Sequence, residues 1–118
     1  MIKYINSNVT LMVSSVNKSV KFYTEVLGLK LKLQQGPFWA EVQAKGITLG
    51  LHLKMKGKTV KNGDNMAIGL EVSDIKAAMK ELEVKGITFA YRKGTLSTAY
   101  FNDPDDNVLY LIEQSKKK

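Results

Sequence analysis

One succession of hydrophobic patterns occurs twice in this chain, and that constrains the fold more than any other feature. From Asn8 to Val13 the residues alternate, with Val9, Leu11 and Val13 on one side and Asn8, Thr10 and Met12 on the other, which predicts a strand with one apolar face. Ser14 and Ser15 are N-cap candidates for a helix that runs to about Leu27 on the stripe Val16, Val20, Tyr23 and Leu27, with Gly28 placed to cap its end. Three strands follow, at 29–33, 38–42 and 47–53, separated by a loop at 34–37 and a turn at Lys45-Gly46. In the fourth strand Ile47, Leu49, Leu51 and Leu53 share one face, and Thr48, Gly50 and His52 share the other. After a polar stretch the pattern restarts. Met66, Ile68, Leu70 and Val72 oppose Ala67, Gly69 and Glu71, and Asp74 can cap a helix on the stripe Ile75, Ala78, Met79 and Leu82 that ends at Gly86. A strand at 87–92, a loop at 93–97 and a closing hairpin complete the second copy.

The chain therefore reads as two βαβββ modules. Ser15 corresponds to Asp74, Asn8 to Ala67 and Ala40 to Ala99, each 59 residues apart. Gly28 and Gly86 match to within one residue of that offset. His52 is set against Glu113, 61 residues on, on the premise that the second copy has a longer last turn. Neither copy alone covers both faces of its sheet, so the two fold as one unit. The expected organisation is a single domain over 1–118, with module one at about 6–54, a linker at 55–65 and module two at about 66–114. The closing hairpin turns on Asn102-Asp-Pro-Asp-Asp-Asn107, where Asp103 and Asn107 are turn formers and Pro104 pre-sets its own φ. Its second arm, Val108 to Glu113, is apolar at nearly every position, which predicts burial on both faces, and it ends on a carboxylate.

At 118 residues, 44% hydrophobic and 25% charged, the composition is that of a globular domain with a core of its own. With no cysteine, disulfides and Cys-based zinc sites are excluded. No apolar run nears the roughly 20 residues that span a bilayer, and the start lacks a signal-peptide core, so a cytoplasmic location without membrane partners is expected. The formal charge is +7, but of the 18 basic residues only Arg92 is the arginine preferred for phosphate and base contacts. A solvated lysine-rich surface is expected rather than a nucleic-acid interface, with Lys116, Lys117 and Lys118 as a disordered tail.

Two segments resemble a known superfamily. Val13-Ser-Ser-Val-Asn-Lys-Ser-Val-Lys-Phe-Tyr-Thr-Glu-Val-Leu-Gly-Leu29 is similar to the Phe-Tyr and Leu-Gly-Leu helix of the vicinal oxygen chelate superfamily, which includes glyoxalase I, bleomycin-resistance proteins and extradiol dioxygenases. Asn102-Asp-Pro-Asp-Asp-Asn-Val-Leu-Tyr-Leu-Ile-Glu113 is similar to its Asp-Pro-Asp-Gly-Asn hairpin, with Asp106 in place of Gly. The resemblance implies an α+β fold, in which two βαβββ modules form a cupped mixed sheet with helices on the convex side. It also implies a cup often completed in a homodimer. Family metal ligands come from the first and last strand of each module, and those places carry Asn8, His52, Ala67 and Glu113 here. Ala67 cannot ligate and Asn8 is a weak ligand, which leaves His52 and Glu113, fewer than the three protein ligands usual for a catalytic zinc.

Two functions from different classes follow. The first is a binding protein without a complete metal site or other cofactor, which holds a small aromatic or anionic molecule in the cup. Phe38, Trp39 and Tyr100 would form an aromatic wall, Asn8 and Met12 would line the cup, and Arg92 would pair with a ligand carboxylate. The second is a lyase, isomerase or dioxygenase dependent on nickel, zinc, manganese or iron, with His52 as ligand and Glu113 as ligand or catalytic base. The plainer alternatives are a rim histidine, a solvated strand-end carboxylate, core or dimer aromatics and a surface arginine.

Overall fold

The computed structural model describes residues 1–55, 66–90 and 97–114. The chain divides into two compact units, Met1–Lys61 and Asn62–Lys118. Arg92, the loop at 93–97 except Ser97, most of the 55–65 linker and the lysine tail lie outside the described residues.

In the first unit, β1 (Asn8–Val13), β2 (Lys30–Gln35), β3 (Trp39–Ala44) and β4 (Ile47–Leu53) form a sheet in the order β1-β4-β3-β2. β1 runs parallel to β4 because helix α1 (Val16–Lys21) carries the chain across the sheet between β1 and β2. The tight turns after β2 and β3 make the remaining pairs antiparallel. Ser15 caps α1 by accepting from the Lys18 N–H at 3.2 Å. The predicted helix changes character at Phe22, where a π-helical turn (Phe22–Val26) takes over and buries Tyr23. Gly28, at φ +77°, then closes the end, its N–H donating to Thr24 O. α1 packs on β3 and β4, and the core is Val13, Val16, Tyr23, Ala40, Val42, Leu49 and Leu51.

In the second unit, β5 (Ile68–Val72), β6 (Thr98–Asn102) and β7 (Val108–Glu113) pair in the order β5-β7-β6. Helix α2 (Ile75–Val84) starts at Asp74, whose Oδ1 accepts from the Ala77 N–H at 3.1 Å, and it packs on β6 and β7. Ile68, Ile75, Leu82, Ala99, Phe101, Leu109 and Leu111 form this core. Of the strand expected at 87–92, Ala90 bridges Tyr100 through two backbone hydrogen bonds of 2.8 and 3.0 Å, and residues 91 and 92 lie outside the described residues. In the turn before β7, Asp103 is buried and accepts from the N–H groups of Asp105 and Asn107 and from Asn107 Nδ2. No helix among the described residues is long and apolar enough to cross a membrane.

Two expectations about β7 need correction. Leu109 and Leu111 are buried, but Ile112 is 38% exposed, so β7 has one covered face and one open face. α2 covers one side only, and the apolar run reflects aromatic and branched residues on the other. The second correction concerns register. Met12 pairs with His52, and Glu71, 59 residues after Met12, pairs with Ile112. The backbone agrees: Lys54 N–H donates to Val13 O at 2.9 Å, and Gln114 N–H to Val72 O at 2.7 Å. The offset between β4 and β7 is thus 60, not 61. His52 corresponds to Ile112, and Glu113 to Leu53. The last turn is longer by one residue rather than two, and one residue of slip moves a side chain to the opposite face.

Candidate functional site

The side of the first sheet that faces away from α1 carries the densest set of polar and aromatic groups. Strand register places them in rows. Met12, His52, Trp39 and Gln35 form one row, Thr10, Gly50, Glu41 and Leu33 the next, and Asn8, Thr48 and Gln43 the third. Thr48 Oγ1 donates to Gln43 Oε1 at 2.7 Å, and Gln43 Nε2 donates to the carbonyls of Ala44 and Ile47, so Thr48 and Gln43 are bonded within the protein.

Trp39 dominates the other two rows. Its six-membered ring reaches over β4 onto Gly50, where a methyl group would collide with Trp39 Cη2 and stand 2.9 Å from Thr10 Oγ1. Gly50 is there because the indole needs the space a side chain would fill. The indole Nε1–H donates to Glu41 Oε2 at 3.1 Å. His52 meets the indole edge-on, with ring centroids 6.0 Å apart. His52 Nδ1 lies 2.6 Å from Leu53 O; as the Nδ1–H tautomer it donates there and leaves Nε2 as an acceptor on the exposed side.

The second sheet repeats the device with other residues. On its open face Tyr110 lies over Gly69, where a methyl group would collide with the phenol ring. Tyr100, across the ladder from Tyr110, packs against it at 5.2 Å between centroids, tilted by 38°. Glu71 and the exposed Ile112 form the neighbouring row.

The residues singled out from sequence therefore fare differently. Trp39, His52 and Met12 share one row, and Asn8 stands on the same face two rows away. Tyr100 is on the open face of its own unit. Phe38 does not join an aromatic wall. It sits in the turn before β3, 65% exposed, close over Gly36. Glu113 is on the helix side of its sheet, in line with Leu109 and Leu111, and its Oε1 accepts from the Ile75 N–H at 3.1 Å at the start of α2. Its carboxylate thus meets the positive end of a helix, not the open face. Sequence reasoning missed Glu41, Tyr110 and the roles of Gly50 and Gly69. The available signal was a glycine inside an otherwise regular strand, which marks close approach of another group.

The metal set implied by the resemblance does not fit this geometry. Asn8 pairs with Thr48, whereas His52 pairs with Met12, so the two stand four residues, or roughly 13 Å, apart along their strands. Ala67 offers no ligand atom, and Glu113 is turned to the helix. Among the described residues no group of three or more His, Asp or Glu side chains converges on a common point.

Residues 5–111 match the family model of the Glyoxalase/Bleomycin resistance protein/Dioxygenase superfamily. An antibiotic-binding protein from Streptomyces sp. CB03234 has a similar structure, with 28% identity and a TM-score of 0.67 over 97% of this chain and 100% of that one. A superfamily member from Sphaerobacter thermophilus is 26% identical, with a TM-score of 0.72 over 96% of this chain and 98% of the other. An uncharacterized protein of Mycolicibacterium smegmatis is 33% identical over 82 residues; the match spans 66% of this chain and 64% of that relative's length.

Proposed function

Because the chain belongs to the Glyoxalase/Bleomycin resistance protein/Dioxygenase superfamily, we propose that it is a binding protein. It holds a small aromatic molecule against the open face of its first sheet without using a metal. One observation carries this reading. The only tryptophan is laid over a strand glycine on the face turned away from α1, and its one polar atom is already bonded within the protein. An indole arranged in this way offers a π surface for stacking at little further cost in order. Met12, 46% exposed, and His52 flank it as a soft apolar neighbour and a hydrogen-bonding one. The antibiotic-binding relative, similar over 97% of this chain, supports the same class of activity.

The binding unit is a homodimer of single-domain chains. The exposed edge strand β2, with Leu31 and Leu33 uncovered, supports this, since such edges and apolar groups are ordinarily paired. Light scattering at micromolar concentration should give twice the monomer mass.

The binding reading is tested by calorimetric titration with planar aromatics such as 2-naphthol and anthraquinone derivatives. One saturable site per chain is expected, with affinity lost in Trp39→Ala. Wild-type affinity in Trp39→Ala would remove the indole from the site.

A further inference from the structure

We infer that Glu41 sets both the position of the indole and the kind of aromatic molecule it accepts; this second role rests on the binding reading above. Glu41 is two residues beyond Trp39 on the same face of β3, and it pairs across the ladder with Gly50. The indole N–H thus bonds to a carboxylate beside the glycine on which the ring rests. Besides that bond the ring rests on Gly50 and meets His52 edge-on, contacts without direction enough to fix it, and a half-buried tryptophan has other rotamers open to it. Gly50 opens the space and Glu41 holds the ring in it.

The same carboxylate borders the stacking surface. A carboxylate has about four acceptor positions, and the indole uses one of them. Among the described residues it pairs with Lys32, with Nζ 4.0 Å from Glu41 Oε1; the lysine side chain is 49% exposed and that of Glu41 only 19%. A solvated ammonium at that distance stabilises weakly and leaves room beside the carboxylate. A ring that stacks on Trp39 with a hydroxyl or amino donor at its edge can give that donor to Glu41. A ring with a carboxylate at the same edge brings like charges together in a partly desolvated place, which disfavours it. The face therefore takes planar aromatics that carry a donor and turns away aromatic acids, although the chain as a whole is cationic.

Two variants separate the roles. Glu41→Gln keeps an acceptor for the indole and removes the charge; Glu41→Ala removes both. The single tryptophan gives one indole N–H resonance and one emission spectrum, which report on ring position without any ligand. Glu41→Ala should shift the resonance and move emission to longer wavelength, with an unchanged far-ultraviolet circular dichroism spectrum. Glu41→Gln should restore both signals towards wild type. If Glu41→Ala leaves resonance and emission as in wild type, Glu41 does not position the ring.

Selectivity is read by titrating that resonance with 2-naphthol and 2-naphthoate. Wild type should prefer the naphthol by at least about tenfold, and Glu41→Gln should lose the preference. Equal affinities in wild type would overturn the selectivity. If neither probe moves the resonance in wild type while the ligand-free signals follow the variants as expected, the positioning role stands and the binding reading of this face falls.

Discussion

At Asp106 the backbone takes φ +64°, the left-handed region in which the related hairpin carries glycine. That conformation costs a residue with a Cβ about 1–2 kcal/mol, less for aspartate, while glycine loses about 0.4–1 kcal/mol through its freer unfolded chain. The first effect is the larger, so Asp106→Gly should stabilise the protein by about 0.5 kcal/mol, read as a higher urea midpoint with unchanged slope. Ser19 offers the opposite case. It is fully buried on the core side of α1, and its Oγ has no hydrogen-bond partner among the described residues. An unsatisfied buried hydroxyl costs about 1–3 kcal/mol, and alanine leaves only a small gap. Ser19→Ala should raise stability by about 1 kcal/mol, and a lower melting temperature would show that the hydroxyl has a partner in solution.

Elements decide what single residues cannot. Glu113 ends β7, yet its bond runs to the first turn of α2, 38 positions earlier in the chain. With Asp74 it satisfies two of the N–H groups that the helix leaves open at its start. Removing a capping carboxylate costs about 0.5–2 kcal/mol. Glu113→Ala should therefore lower stability by about 1–2 kcal/mol in thermal melts without weakening ligand binding. A large loss of affinity at unchanged stability would return Glu113 to the binding site. The hairpin turn behaves alike. Asp103 accepts three hydrogen bonds within it, so Asp103→Ala should cost about 2–4 kcal/mol and unfold the protein at markedly lower denaturant.

For the molecule as a whole, the described strands follow the predicted order, but the correspondence of His52 with Glu113 is out by one residue. That single residue bears on function. With the offset at 60, His52 is on the face of its sheet away from α1 and Glu113 on the helix side of its own, and among the described residues no group of three or more His, Asp or Glu side chains gathers. A ligand bound only to the folded state raises the melting temperature by mass action, so a naphthol-induced shift measures binding directly. That shift should survive treatment with EDTA and vanish in Trp39→Ala. A shift lost on chelation and restored by nickel, zinc, manganese or iron would bring back the metal-dependent reading.

The sequence by itself determined the order of the strands and helices described, both N-caps, the glycine ends of the helices and the Asp103 turn, while of the strand expected at 87–92 the described residues hold one bridge, at Ala90. Each of these is local: a period of two or 3.6, a side chain bonding three residues on, a φ that favours glycine. The tertiary structure alone decided which side chains meet. Trp39 lies on Gly50 because β3 and β4 pair in one register, and Glu113 meets α2 because β7 pairs with β5 in another. Register depends on how many residues each turn consumes, and one residue more or less reverses every face beyond it.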